Sequence, residues 1–108
     1  MHQLRIYQIF DHNKAEFHAR FRDHVVRIMR RHAFDIAGMW EARGEGGPEF
    51  VYLLHWPDEA SMAARWADFM ADEEWSRIRA ETTARHGDLV GRIENRVMCR
   101  TPYPASPA

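Results

Sequence analysis

The chain has 108 residues, with 15 Lys and Arg against 16 Asp and Glu and a formal net charge of −1. That length suits one domain around one core, and the balanced charge leaves no electrostatic footprint for nucleic acid or an anionic membrane surface. Cys99 is the only cysteine, so no intrachain disulfide forms, and no apolar run reaches the roughly eighteen residues of a bilayer span. A reducing cytoplasm is the expected location. The strand pattern begins almost at once, with no signal-peptide pattern before it.

Leu4 to Phe10 is rich in β-formers and predicts a first strand. Asp11, His12 and Asn13 follow as a turn and helix cap. Residues 14–33 carry helical spacing, with Phe17, Phe21, Val25, Ile28 and Met29 on one face. Arg20, Arg22, Asp23, Arg27, Arg30 and Arg31 fall mostly outside that stripe. Such a helix is about 30 Å long, enough to cross a small sheet. A second strand is expected over residues 35–43, and the Gly44-Glu45-Gly46-Gly47-Pro48 turn makes a hairpin to a third over 49–56.

Pro57 cuts that third strand and Asp58 opens a helix to residue 70, with Met62, Trp66 and Phe69 as its inner stripe. After an acidic break at residues 71–74, another helical piece runs from Trp75 to His86, and Gly87 stops it. Residues 89–99 form the last strand. Three prolines in residues 101–108 predict an extended tail. The order β-α-β-β-α-β, in one domain over residues 1–108, predicts an α+β ferredoxin-like fold: an antiparallel sheet with helices on one face.

Strand parity divides the sheet into two faces. Leu4, Ile6, Gln8, Ala37, Met39, Val51, Leu53, His55, Ile93, Asn95 and Val97 make a compact aliphatic set, expected under the helices. Arg5, Tyr7, Ile9, Trp40, Phe50, Tyr52, Leu54, Trp56, Arg92, Glu94, Arg96 and Met98 make an aromatic set with charges. Aromatic and arginine enrichment marks interface cores. This second face is therefore expected to close a homodimer, with Arg5, Trp40, Tyr52, Trp56, Arg92 and Glu94 in the seam.

The opening Gln3-Leu4-Arg5-Ile6-Tyr7, the segment Glu49 to Trp56 with its Pro57-Asp58 turn, and Asp72-Glu73-Glu74-Trp75 together resemble the NIPSNAP family. The likeness extends from about residue 2 to residue 104. It implies a dimeric α/β barrel, in which two such sheets close face to face, and a bacterial type of member. It implies no catalytic residue. Relatives in the wider superfamily include cofactor-independent monooxygenases and haem-binding enzymes, an analogy of fold alone.

Seven histidines invite a metal site, but His18, His24 and His32 stand six and eight residues apart on their helix, and no cysteine pairs with another. No metal and no cofactor is expected. His24 borders the apolar helical stripe, and the parity of His55 points it towards the helices. Both are candidate catalytic groups, as general base or axial ligand, against the plainer reading of hydrogen-bonded boundary histidines. Tyr7, Met39 and Trp66 are the candidate ligand contacts, against the plainer reading of core side chains. Cys99 beside Arg100 has no paired base and reads as inert. The leading functional expectation is a small apolar or aromatic ligand bound between sheet and helices, with monooxygenase-like activity as its sharper form. A non-catalytic dimeric scaffold and, more weakly, haem binding stand beside it.

Overall fold

The computed structural model describes residues 1–104. Four strands form one antiparallel sheet: β1 (His2–Gln8), β2 (Asp35–Gly44), β3 (Gly47–His55) and β4 (Ile93–Met98), in the order β2-β3-β1-β4. Helix α1 (Lys14–Arg20) passes through a π-helical turn (Phe21–Val25) into α2 (Val26–Arg31), and this continuous rod links β1 to β2. Helices α3 (Glu59–Met70) and α4 (Glu73–His86) link β3 to β4. Each crossover returns two strands away, so β3 lies between β1 and β2, and β1 lies between β3 and β4. This is the α+β ferredoxin-like fold that the element order predicts.

Local chemistry sets the ends of these elements. Asp58 caps α3 by accepting from the Ser61 backbone N–H at 2.7 Å, and Asp72 caps α4 through Trp75 N–H at 3.0 Å. At the end of α2, Ala33 adopts φ 64° while Phe34 N–H donates to Met29 O at 3.0 Å. That six-residue closure is a Schellman motif, with alanine where glycine is usual. Glu45 and Gly46 make a two-residue hairpin loop between Gly44 and Gly47, and Gly47 takes φ 110° there. β1 starts at His2 and β4 only at Ile93, so the strand pattern read from sequence is displaced at both. Residues 101–104 are exposed and outside any strand; the rest of the expected tail, residues 105–108, lies outside the described residues.

The central strands β1 and β3 face the opposite way from that expected, whereas Met39, Trp40 and the residues of β4 lie on the expected sides. Phe50, Tyr52, Leu54 and Trp56 are between 0% and 5% exposed and pack against the helices. The Phe21 ring lies 4.5 Å from Phe50 and 5.3 Å from Tyr52, while Phe34 lies 4.9 Å from Trp56. Cross-strand neighbours share a face: the register places Arg5 opposite Tyr52 and Tyr7 opposite Phe50, on the helix side. The other face carries Leu4, Ile6, Val51 and Leu53, with Trp40 opposite Val51. A bulge between Ile36 and Gly38 shifts β2 by one residue, which puts Met39 on the helix side and Trp40 on the open side. The bulky aromatic side chains pack with Phe17 and Phe21, and the smaller aliphatic ones are left uncovered in the single chain.

A candidate ligand cleft

Between the helix-facing side of the sheet and the helices lies a cleft of about 240 Å³. Its wall combines Phe17, Phe21, Val25 and Met29 from the first helical rod with Trp66, Phe69 and Met70 from α3 and Trp75 and Arg79 from α4. The sheet contributes Arg5, Tyr7 and Ile93, the approach to β4 contributes Val90 and Gly91, and Arg20 completes the lining. An enclosed apolar volume of about 150 Å³ accepts benzene, so this one has room for a substituted ring. The π turn forms part of the wall through Phe21 and Val25. Such turns are frequent at functional sites because they widen a helix locally.

The polar part of the lining is organised around Arg5. Its Nε donates to Tyr52 Oη at 3.4 Å and its Nη2 to Tyr7 Oη at 3.2 Å, and the two phenol oxygens are 2.6 Å apart. The Arg5 guanidinium also stacks over the Trp66 ring, 4.5 Å from its centroid, a favourable contact for a cation held away from water. Tyr52 is fully buried, and among the described residues Tyr7 is the only acceptor its hydroxyl hydrogen reaches. Either hydroxyl can donate to the other across that contact, and Arg5 donates to both. Burial, and then the adjoining Tyr7, push the Tyr52 hydroxyl well above its ordinary value of 10.0 against the opposing pull of Arg5. Tyr52 stays a neutral phenol.

Two further arginines border the same space. Arg20 is only 8% exposed; its Nη1 donates to Thr82 Oγ1 at 2.9 Å and its guanidinium lies 5.1 Å from the Trp75 centroid. Burial lowers its pKa, Tyr7 works in the other direction, and Arg79 adds to the lowering. Gln3, a third buried polar group, accepts from Trp56 Nε1 at 2.9 Å and Trp66 Nε1 at 2.7 Å through one oxygen. Its Nε2 donates to Asn95 at 2.7 Å. Gln3 thus fixes the Trp66 indole that forms the wall.

The expected site residues divide accordingly. Tyr7 and Trp66 meet at the cleft. Met39 lies apart, 43% exposed, against Phe50 and His18 in a shallower depression. His55 does not face the helices: it is on the open side, 3.3 Å from Asp35 and in edge contact with His2. His24 hydrogen-bonds Arg27 Nη2 at 3.0 Å, outside the cleft lining. Of the residues expected in a dimer seam, Arg5, Tyr52 and Trp56 lie on the helix side instead, whereas Trp40 and Glu94 lie on the open face and Arg92 borders it. Arg20, Arg79 and Gln3 escaped the sequence reading. Arg20 lies next to Phe17 in helical projection, at the edge of the apolar stripe, and Gln3 shares the parity of Arg5 and Tyr7; these were the available signals.

No curated protein matches this sequence. Solved structures show the fold widely. A protein from Agrobacterium tumefaciens, Atu4242, is 19% identical with a TM-score of 0.79, the match covering 96% of each chain. An uncharacterized NIPSNAP domain protein from Burkholderia xenovorans is 16% identical with a TM-score of 0.79, covering 97% of this chain and 98% of its own. More distant is a monooxygenase from the gene ActVA-Orf6 of Streptomyces coelicolor, in complex with the ligand nanaomycin D. It is 13% identical with a TM-score of 0.59, covering 97% of this chain and 91% of its own. The NIPSNAP family model matches residues 2–107, and on that match the chain belongs to the NIPSNAP family.

Proposed function

We propose that this protein binds a small aromatic molecule in the cleft between sheet and helices. The observation that carries the reading is a cleft of about 240 Å³ with a mostly aromatic and aliphatic wall, whose polar floor ends in the Tyr7 hydroxyl. Convergent polar groups on an apolar concavity are the usual anatomy of a ligand site. The likeness to a monooxygenase that holds a small molecule supports the location by fold alone. Histidine and carboxylate side chains do not contribute to the described lining, so an oxygenase-type reaction here would draw on the Tyr7 hydroxyl for its proton transfers. Binding is therefore the better-supported part of the reading, and turnover the lesser. Calorimetric titration with one- and two-ring aromatic compounds bearing acidic, neutral or basic substituents tests it. Binding should occur and should disappear in Val25→Trp, which fills the cleft. No binding by any compound, or binding that survives the filled cleft, refutes it.

The open sheet face supports a second element, a homodimer. Leu4, Ile6, Val51 and Leu53 lie together there, beside a Trp40 that is 53% exposed. Arg92, Glu94 and Arg96 edge this surface with both signs of charge. A patch with an apolar centre and mixed charges at its margin is self-complementary across a twofold axis. Sedimentation equilibrium at micromolar concentration should give twice the chain mass; a single-chain mass would dismiss the dimer.

A further inference from the structure

The cations of the cleft lack counter-charges. Arg5, Arg20 and Arg79 all border it, yet among the described residues no carboxylate lies within 4.0 Å of any of the three. The contrast with the outer surface is sharp, since Arg27 and Arg31 on the same rod are both tied to Glu74 at 2.7 and 3.0 Å. A guanidinium removed from water is costly unless something meets its charge. Here the neighbours of Arg5 and Arg20 are ring faces and hydroxyls only: Trp66, Tyr7 and Tyr52 for the first, Trp75 and Thr82 for the second. Such partners satisfy some N–H donors and leave the net charge uncancelled. Arg20 is also held near a like charge, Arg79, an arrangement that raises its own cost until an anion arrives.

We infer that the cleft takes an aromatic carboxylate, its ring among Phe21, Val25 and Met29 and its anionic group answering the uncompensated arginines. The inference rests on the reading of this cleft as the ligand site and adds the charge of the ligand to it. Planar carboxylates match the donor fork of arginine, which favours them over a spherical anion. The Tyr7 hydroxyl is one more polar group on the same wall. A neutral ring would leave Arg20 and Arg79 as they are and gain only the apolar contact.

Isothermal titration calorimetry of the full chain with 2-naphthoate and 2-naphthamide separates the possibilities, because the two differ in charge at nearly equal shape. The acid should bind at least tenfold more tightly than the amide. Its advantage should shrink as salt is raised and should fall several-fold in Arg79→Gln. Arg79 is exposed on α4, so that variant keeps the fold even where Arg20→Gln, at a buried position, loses it. Equal affinities for acid and amide overturn the inference and leave the cleft as a binding site for neutral rings. A preference for the acid that survives both Arg79→Gln and a folded Arg20→Gln also overturns it, since the anion then sits elsewhere. Failure of both probes to bind removes the inference, and the ligand-site reading falls with it only when the other one- and two-ring compounds also fail.

Discussion

Replacing Tyr52 with phenylalanine removes one oxygen from the centre of the fold and tests which face of the sheet the helices cover. In the structure that oxygen is 2.6 Å from Tyr7 Oη and 3.4 Å from Arg5 Nε. The ring itself stays, so packing against Phe21 is preserved. A net hydrogen bond contributes roughly 0.5–1.5 kcal/mol, and a buried donor left without a partner costs about 1–3 kcal/mol. The Arg5 contact at 3.4 Å is long and adds little. Tyr7 borders the cleft, where water can take over part of the lost contact. The low end of both ranges therefore applies, and Tyr52→Phe should destabilise by about 1–2 kcal/mol. For a chain of this size that lowers Tm by about 4–8 °C.

Urea titration at a fixed protein concentration measures this directly, with Tyr7→Phe and the double variant completing a cycle. The two hydroxyls share one bond, so the double loss should be smaller than the sum of the single losses by about 0.5–1 kcal/mol. Additive losses would show that the hydroxyls do not interact. A neutral Tyr52→Phe would place the hydroxyl in water or at an adaptable interface and would overturn the assignment of faces.

Three other perturbations address separate parts of the molecule. Trp40→Glu places like charges near each other across the proposed twofold seam, and sedimentation should show dimer association weakened by at least a factor of about 100; an unchanged dimer mass would clear Trp40 of the interface. Asp72 accepts from His32 and Arg31, and its pKa is held far below its ordinary value, His32 first among the causes. The Glu74 pKa is drawn down to about 2 by Arg27 and then Arg31. Both folded values lie below the unfolded ones, so the stabilisation is complete above about pH 5 and is lost as pH falls towards 2. Urea midpoints should fall between pH 5 and pH 2.5, less steeply in Asp72→Asn/Glu74→Gln, and an equal slope in that variant would contradict the linkage. Ala33→Gly relieves a left-handed alanine at φ 64°; after the entropy cost of glycine it should raise stability by about 0.5–1 kcal/mol, read as an increased melting temperature.

The element order and the hairpin were legible because each rests on short-range chemistry. Asp58 capping α3 and the glycine pair around Glu45 and Gly46 declare themselves within a few residues. The choice of sheet face was not legible in β1 and β3. In β3 both parities are apolar, Phe50-Tyr52-Leu54 on one side and Val51-Leu53 on the other, so period-two alternation separates the sets without saying which meets a helix. What decides is long-range. The helical rod brings Phe17 and Phe21 to Phe50, and Gln3 needs the indole hydrogens of Trp56 and Trp66, 53 and 63 residues away. The π turn lay beyond reach for a related reason: residues 21–25 follow ordinary helical spacing at its inner positions.

The reversal of β1 and β3 changes the standing of Arg5. Had Arg5 lain in a dimer seam, a partner subunit would have been free to supply its counter-charge. On the helix side it faces a cleft whose described lining holds no carboxylate. Its contacts with Trp66 and Tyr7 orient it without neutralising it. Meanwhile Asp35, Glu49 and His55 lie on the open face together with Glu94 and Arg96 of β4. Both signs of charge thus lie on the face proposed to meet another copy; on the helix side Glu41 is taken up by Lys14 and His18 at the far end of the sheet, and Arg5 is left among aromatic rings at the cleft. Apolar burial would have been served better by leucine at positions 5 and 20. The guanidinium groups there make the cleft less stable and more selective, and an anionic guest is what that selectivity would admit.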